Sequence, residues 1–328
     1  MIKRSLVWVL FIFGLASIYL YWYAQTPLSL AQVPLAFDLK PDSNLLSAST
    51  QMQAAGVVDA DMRFRVLARV LGKAGKIRAG FYILNESVTP WQLLKKLTSN
   101  ELTSRQILFI EGWTFVQMRM ALDAYPWIRH DTQGMSEAAV LHVLGVPHRH
   151  AEGWFFPSTY YINAGSSDVS ILRRAYATMQ LHLQQAWAKR DPGLPYATPA
   201  DALIMASIIE KETAVASERP MIAAVFINRL RLGMRLQTDP TVIYGMGSRY
   251  DGNIHKRDLQ TDTPYNTYTR GGLPPTPIAM PGLEAIHAAL HPASSRALYF
   301  VAKGDGTHQF SNNLTDHNRA VARYQKGG

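Results

Sequence analysis

The stretch MASIIEKETAVASERP, residues 205–220, places two glutamates around one lysine at the end of an apolar run. On a helix of about 100° per residue, one face carries Met205, Ile208, Ile209, Val215 and Ala216. Glu212 falls in the middle of that apolar face, whereas Glu210 falls beside Ser207 on the polar side. The pattern therefore predicts a helix in which Glu212 points inward and Glu210 is solvated.

An inward-facing carboxyl group such as that of Glu212 is a candidate for acid catalysis. Ionisation on an apolar face carries a desolvation cost, so such a group tends to have a raised pKa. A proton held near neutral pH is what a general acid needs. Periodicity alone leaves a second interpretation open, in which the helix ends near Thr213 and Glu212 is solvated in its last turn.

Downstream of this helix the sequence predicts a second helix and then loop-like segments. Ser217, Glu218 and Pro220 are typical of a helix start, and the new helix should end at Gly233. Residues 233–247, GMRLQTDPTVIYGMG, predict a strand and a turn with many hydrogen-bonding side chains. Residues 262–282, DTPYNTYTRGGLPPTPIAMPG, hold five prolines and predict an irregular binding loop.

The rest of the chain predicts an α+β protein of about two domains. Expected helices lie at about 45–55, 61–71 (with Asp59 or Asp61 as N-cap), 90–97 (capped by Thr89), 114–124, 134–145 and 169–188. Expected strands lie at 80–84, at 105–110 and within 152–162. The predicted organisation is an N-terminal segment of residues 1–25, a linker of residues 26–37, a small unit of residues 38–104 and a larger domain of residues 105–328.

The N-terminal segment is predicted to be a single membrane-spanning helix. No charged residue occurs between Arg4 and Asp38, and the run LVWVLFIFGLASIYLYWY covers residues 6–23. That is close to the ~20 residues of a membrane span, its far end is typical of an interfacial aromatic belt, and its flanking basic residues favour a cytoplasmic N-terminus. A cleaved signal peptide is the alternative, although the run is longer than about 7–15 residues and no small-x-small site follows. A buried soluble helix is a third option.

Charge and motif content restrict the class of partner. Lys and Arg total 33 against 24 Asp and Glu, a formal charge of +9, which favours an anionic partner such as nucleic acid, anionic lipid or a cell-wall polymer. The sequence has no cysteine, so disulfides and thiolate chemistry are excluded. His148 and His150 lack a third ligand at a recognisable spacing, which favours a surface loop over a metal site. No phosphate-binding glycine loop occurs, and no metal or cofactor is predicted.

Six sequence blocks occur in an order typical of one family: ASIIEKET, VFINRL, MRLQTDPTVIYG, YNTY, GLPPTPI and HNRAV. With them the chain resembles the endolytic murein transglycosylases of the YceG-like family, from the anchor to about Tyr324 and most specifically from Ala206 to Gly282. By the family motif, the second glutamate of EKE is the catalytic acid, which selects Glu212. One departure is Ser158 in EGWFFPSTY, where the family usually has Asp, so Ser158 is given no catalytic task.

The resemblance implies an enzyme anchored in the inner membrane, with its catalytic domain in the periplasm. It would cleave the β-1,4 bond between N-acetylmuramic acid and N-acetylglucosamine within glycan strands and leave 1,6-anhydro ends. Residues 38–104 would form a LysM-like subdomain and residues 105–328 the catalytic domain. The implied partners are peptidoglycan strands, the membrane and peptidoglycan synthases, with no nucleic acid.

A single glutamate suffices for such a reaction, because the substrate's own C6 hydroxyl attacks the anomeric carbon. Most glycosidases need two carboxylates instead. The resemblance suggests these residues for holding the sugar: Gln237, Thr238, Asp239, Tyr244, Asn266 and Tyr268. For each of them a purely structural hydrogen bond is the competing interpretation, and Asp239 before Pro240 could serve only as a turn residue.

Two other functions stay open at this point. A hydrolysing muramidase would use Glu212 with Asp239 or Glu218 as its second carboxylate. A membrane-tethered, non-catalytic glycan-binding scaffold would keep Glu212 for structure only.

Overall fold

A computed structural model of the chain describes residues 2–30, 33, 35–40, 43–58, 61–84, 86–99, 105–162 and 166–325. The chain divides into two compact units, one of residues 1–106 with 161–166 and one of residues 107–160 with 167–328. The fold is mixed α+β, with long helices and short two-stranded sheets, as the sequence predicts. The finer division at residues 37 and 104 stays a prediction.

The first unit packs helices around one small sheet. Its helices are α1 (Ile2–Gln25), α2 (Leu45–Ala54), α3 (Asp61–Val70) and α4 (Pro90–Thr98). Its strands β1 (Leu35–Leu39) and β2 (Gly80–Leu84) pair antiparallel, with Leu35 opposite Leu84. The expected cap of α4 is confirmed, because the hydroxyl of Thr89 accepts from the Gln92 backbone N–H and Pro90 opens the helix. The proposed N-cap of α3 lies outside the described side chains.

Helix α1 covers the predicted membrane segment. Large apolar side chains from Phe11 to Trp22 are exposed on it. Among the residues whose side chains the structure describes, no helix is both long enough and apolar enough to cross a membrane. The predicted run starts at Leu6, and the side chains of residues 1–7, 9 and 10 lie outside that described part.

Two further short strands include the residues at which the chain passes from one unit to the other. Strands β3 (Arg105–Leu108) and β4 (Thr159–Ile162) pair with each other. The predicted strand at 105–110 is thus confirmed, although it ends two residues early. The aromatic segment before β4 is a loop, as expected.

The second unit is built on helices and one C-terminal hairpin. Its helices are α5 (Phe115–Asp123), α6 (Glu137–Leu144), α7 (Asp168–Ala188), α8 (Pro199–Glu212), α9 (Arg219–Arg231), α10 (Asp239–Met246), α11 (Lys256–Gln260), α12 (Leu283–Leu290) and α13 (Leu314–Gln325). Between α12 and α13, strands β5 (Tyr299–Ala302) and β6 (His308–Ser311) form an antiparallel hairpin, with Tyr299 opposite Ser311. Helix α8 lies at the centre and packs on α7, α9, α10 and α12.

The central position of α8 corrects the predicted solvation of Glu210. Every residue from Ala202 to Ile209 is buried, including Ser207, so the helix has no solvated side along this stretch. The Glu210 side chain is only 7% exposed, and Oε1 lies 3.6 Å from Nη2 of Arg219. Its Oε2 accepts a hydrogen bond from the backbone N–H of Gly282 at 2.9 Å. A helix covered by neighbours on all sides has no polar face, and the helical projection could not show this.

The predicted strand at 233–247 is also wrong, because α10 starts inside it at Asp239. Pro240 lies in the first turn of α10, where its missing N–H costs no helical hydrogen bond. Asp239 lies at the same end, where a negative charge favours the helix. The β-branched residues at 241–243 and the flanking glycines favour a strand in the sequence. Asp239 and Pro240 are typical of a helix start, and the structure follows them.

Candidate active site

Glu212 is the last residue of α8, at the edge of an open cleft. Thr213 follows with an extended backbone, φ −144° and ψ 134°, and ends the helix. The helix therefore stops where the second interpretation of the sequence put its end. Glu212 is nevertheless only partly exposed, because residues from distant parts of the chain cover it.

Thr238 is the direct hydrogen-bond partner of the Glu212 carboxyl group. Its hydroxyl donates to Oε1 of Glu212. Burial raises the pKa of Glu212 to about 7, the Thr238 hydrogen bond and the charge of His308 lower it, and Asp239 raises it further. The C-terminal end of a helix also disfavours a negative charge. Glu212 can therefore hold a proton near neutral pH, as a general acid requires.

An unusual backbone conformation brings Thr238 to Glu212. Gln237 has a φ of 53°, the left-handed region that residues with a side chain rarely adopt. Its backbone N–H donates to the Thr267 carbonyl at 3.2 Å, and the Thr238 N–H donates to the Thr267 hydroxyl at 3.1 Å. The Thr241 hydroxyl meets the same Thr267 oxygen at 2.9 Å. Thr267 thus holds the turn that aims Thr238 at the carboxyl group.

Asp239 follows directly and starts α10. The Tyr268 hydroxyl donates to its Oδ1 at 2.6 Å. Burial, together with the hydrogen bond to Asp239, raises the pKa of Tyr268, so its hydroxyl stays protonated as a donor. The two carboxyl groups thus lie at opposite kinds of helix end, Glu212 at a C-terminus and Asp239 at an N-terminus.

These residues line one cleft of about 520 Å³ together with β5, β6 and α13. The cleft contains four of the six predicted sugar-holding residues beside Glu212, namely Gln237, Thr238, Asp239 and Tyr268. Its lining also includes Tyr299, Phe300, His308 and His317. A cleft that combines aromatic side chains with a few polar groups is typical of a ligand-binding site.

Comparison with known proteins gives the family of this chain. The model of the YceG-like family matches residues 37–323. The chain belongs to the YceG-like family. It is 31% identical over 299 residues to an endolytic murein transglycosylase of Bacillus subtilis, with 86% of this chain and 82% of that protein covered. It is 29% identical over 316 residues to an endolytic murein transglycosylase of Streptococcus pneumoniae, where it spans 57% of the relative's length.

A solved structure shows the same fold. The crystal structure of a yceG-like protein from Listeria monocytogenes superimposes with a TM-score of 0.57 at 28% identity. The match covers 87% of this chain and 97% of the other.

Two predicted sugar-holding residues of this YceG-like chain lie outside the cleft lining. The Asn266 amide is buried and donates to the backbone carbonyls of Asp258, Leu259 and Thr261 at 2.7 to 3.2 Å. Its carbonyl oxygen accepts from the Tyr268 N–H at 2.8 Å. The Tyr244 hydroxyl donates to Oε2 of Glu152 at 3.0 Å. Both side chains make hydrogen bonds within the protein, and their contact with a sugar stays a prediction.

Two buried charged residues were not identified from the sequence, and the first of them, Arg229, supports the site. Arg229 on α9 is buried and donates from Nε to the Leu298 carbonyl at 2.7 Å and from Nη1 to the Leu236 carbonyl at 2.8 Å. Its guanidinium lies 5.1 Å from the Tyr299 ring centroid. It therefore ties the C-terminal hairpin to the segment before Gln237. A charged residue within the apolar helix at 219–231 was the signal that could have identified it.

The second missed residue is Glu152, a buried carboxyl group remote from the cleft lining. Its Oε1 accepts from the Phe115 N–H at 3.0 Å, at the start of α5. Burial raises its pKa to about 7, against the lowering effect of the Tyr244 hydrogen bond. The EGW motif contained the signal, an acidic residue among aromatic residues. Ser158, in the same loop, uses its carbonyl to accept from the Phe109 N–H.

The histidine pair at 148 and 150 has no shared role in the structure. His148 stacks on Trp154 at 3.7 Å between ring centroids and meets the Tyr176 hydroxyl at 3.2 Å, whereas His150 is exposed. Within the described residues, no group of three or more potential His, Asp or Glu ligands is placed to hold a metal ion.

Proposed function

We propose that this chain is a lytic transglycosylase that cuts the β-1,4 bond between N-acetylmuramic acid and N-acetylglucosamine inside peptidoglycan strands. The activity in the names of its relatives supports the reaction class. The observation that carries the proposal is the position of Glu212 in an open cleft, with its pKa raised to about 7 by burial.

Glu212 acts first as the acid. Its carboxyl proton passes to the glycosidic oxygen, and the bond between that oxygen and C1 of N-acetylmuramic acid breaks. The C6 hydroxyl oxygen then bonds to C1, and its proton returns to Glu212. The product has a 1,6-anhydro ring, and the enzyme ends in its starting protonation state.

The other cleft residues stabilise the intermediate state. Positive charge develops at C1 and the ring oxygen as the bond breaks, and the Asp239 carboxylate at the α10 N-terminus offers a fixed negative charge for it. The Gln237 and Tyr268 side chains hold the sugar beside Glu212. The Thr238 hydroxyl stabilises Glu212 in its ionised form between the two proton transfers.

A hydrolysing muramidase is the second candidate, and one observation favours it. Asp239 lies in the same cleft as Glu212, so a second carboxylate is available to activate water. Glu218 is unsuited to that task, because both of its oxygens accept hydrogen bonds from His308.

Product analysis separates the two reactions. Purified glycan strands are digested with the full chain, and the fragments are examined by mass spectrometry. We expect 1,6-anhydro ends, which are one water lighter than reducing ends. Fragments with only reducing ends would replace the proposal with the muramidase.

The matched variants are Glu212→Gln and Glu284→Gln. Glu284 is exposed on α12 and does not line the cleft. We expect Glu212→Gln to lose at least roughly 100-fold in turnover and Glu284→Gln to keep it. Equal turnover in both would exclude Glu212 as the acid, and a wild-type chain that binds strands without cutting them would support the scaffold.

We also propose an inner-membrane location with a periplasmic catalytic domain. The support is the uncharged run from Leu6 to Tyr23 and the exposed apolar side chains from Phe11 to Trp22. Residues 38–104 would act as a LysM-like glycan-binding unit, and synthases of the same membrane would be partners. Release of the intact chain from membranes by carbonate washing would contradict the anchor, and a membrane pull-down without any synthase would contradict the partnership.

A further inference from the structure

We propose that His308, held by Glu218, is a positioning residue for Glu212: its ring stabilises the carboxylate that forms when Glu212 gives up its proton. This inference rests on the proposed function, since it concerns the acid of that reaction. Glu218 and His308 lie 90 positions apart in sequence. Helical periodicity and motif spacing therefore do not relate them.

Glu218 fixes the His308 ring through two hydrogen bonds. The backbone N–H of His308 donates to Oε1 at 2.9 Å, and Nδ1 lies 2.7 Å from Oε2. The two side chains are only 12% and 14% exposed. A carboxylate can only accept, so Nδ1 carries a proton in this pair. The tautomer and the direction of the ring are thereby set.

The other ring nitrogen, Nε2, takes no part in the contact with Glu218 and can interact with groups in the cleft. His308 lines the cleft that contains Glu212, and within the described residues Nε2 has no hydrogen bond. Phe300 supports the ring edge-on, at 5.3 Å between centroids and 87° between planes. The geometry thus presents a nearly rigid imidazole to the space beside Glu212.

Several charged or titratable groups face Glu212 from the elements around it. They are Asp239 on α10, Arg229 on α9, His308 on β6, His317 on α13, and Tyr268 and Tyr299 beside them. Asp239 opposes the ionisation of Glu212, and His308 favours it. Arg229 is occupied by backbone carbonyls, and burial together with Arg229 lowers the pKa of His317, which keeps that ring neutral. His308 is therefore the group in this set that offsets Asp239.

The charge balance explains why such an offset serves the reaction. When the Glu212 proton moves to the leaving oxygen, a negative charge appears in a partly buried site next to Asp239. The His308 ring favours that charge, and Glu218 holds the ring in place beside it. His308 neither gives nor takes a proton in the catalytic cycle, so its role is to position and to stabilise.

The test measures the ionisation of Glu212 directly. The full chain is labelled with ¹³C at the glutamate side-chain carboxyl groups and titrated by NMR, and the Glu212 signal is assigned by its loss in Glu212→Gln. The variants are His308→Gln, Glu218→Gln and, as a matched control, His142→Gln, an exposed histidine at the end of α6. Near-UV circular dichroism checks that each variant keeps its tertiary packing.

We expect the Glu212 midpoint to rise by up to roughly one pH unit in His308→Gln and by less in Glu218→Gln, with no change in the control. The alkaline limb of kcat/KM against pH should move in parallel. An unchanged or lowered Glu212 midpoint in a folded His308→Gln variant would overturn the inference. If His308→Gln does not fold, the Glu212 midpoint in Glu218→Gln is judged by the same criterion. Absence of anhydro products from the wild type would instead refute the proposed function, while the titration still tests His308.

Discussion

The Thr238 hydroxyl donates to Oε1 of Glu212, 26 positions away in sequence. This contact joins the C-terminal end of α8 to the turn before α10. It places a hydroxyl donor at the carboxyl group that we propose as the acid and base of the reaction. The two ends meet only because Thr267 holds the left-handed turn at Gln237.

The first prediction concerns Thr238→Val, which removes the hydroxyl and keeps the shape. The lost hydrogen bond no longer lowers the Glu212 pKa, so that pKa should rise above about 7. A general acid is lost as pH rises through its pKa, so the alkaline limb of the rate should move to higher pH. We expect kcat to fall roughly 10-fold. Thr261→Val, which removes an exposed hydroxyl outside the cleft, should leave the pH profile unchanged.

The second prediction concerns stability and the charge of Glu212. Its pKa is raised from 4.5 to about 7 on folding, so the folded state binds the proton more tightly. The stabilisation is complete below pH about 4.5 and is lost as pH rises through about 7. The Glu212→Gln variant lacks this titration. Its free energy of unfolding, measured relative to wild type, should therefore be higher at pH 8 than at pH 5 by up to about 3 kcal/mol. Urea unfolding at both pH values measures this, and equal differences at the two would contradict it.

The third prediction concerns Glu210, whose truncation should destabilise the fold. Burial raises its pKa, while the Gly282 N–H and Arg219 lower it. Glu210→Ala removes the partner of Arg219, which is itself buried, and leaves the Gly282 N–H without its acceptor. We expect a loss of about 3 kcal/mol in the free energy of unfolding. A loss below about 0.5 kcal/mol, as for an exposed surface charge, would contradict the buried position.

The fourth prediction tests the backbone at Gln237. Replacement by Gly or by Ala removes the same side-chain contact with Arg229, but only Gly adopts a φ of 53° without strain. We expect the free energy of unfolding of Gln237→Gly to be roughly 0.5 to 1 kcal/mol higher than that of Gln237→Ala. An Ala variant at least as stable as the Gly variant would show that the turn is unstrained.

The sequence contained much of the local structure, because local signals act over a few residues. The α4 start at Thr89 and Pro90 was readable from capping chemistry, and the extent of α7 from its periodicity. The periodicity left two interpretations of Glu212 open, an inward-facing side chain or a solvated one in the last helical turn. The resemblance of the motifs to the family favoured the first. The local reading failed for α10, where β-branched residues competed with helix-start signals of similar strength.

Only the tertiary structure decided which side chains meet. Glu210 is buried because other helices pack on every side of α8. The sequence of α8 alone does not indicate which elements pack against it. Asn266 donates to backbone carbonyls and Tyr244 to Glu152, whereas Thr238 donates to Glu212 and Asp239 lines the same cleft. The sequence by itself determined the family and the α+β class, and it selected Glu212 as the proposed acid. The partners of Glu212 depend on contacts between residues tens of positions apart, which no local pattern encodes.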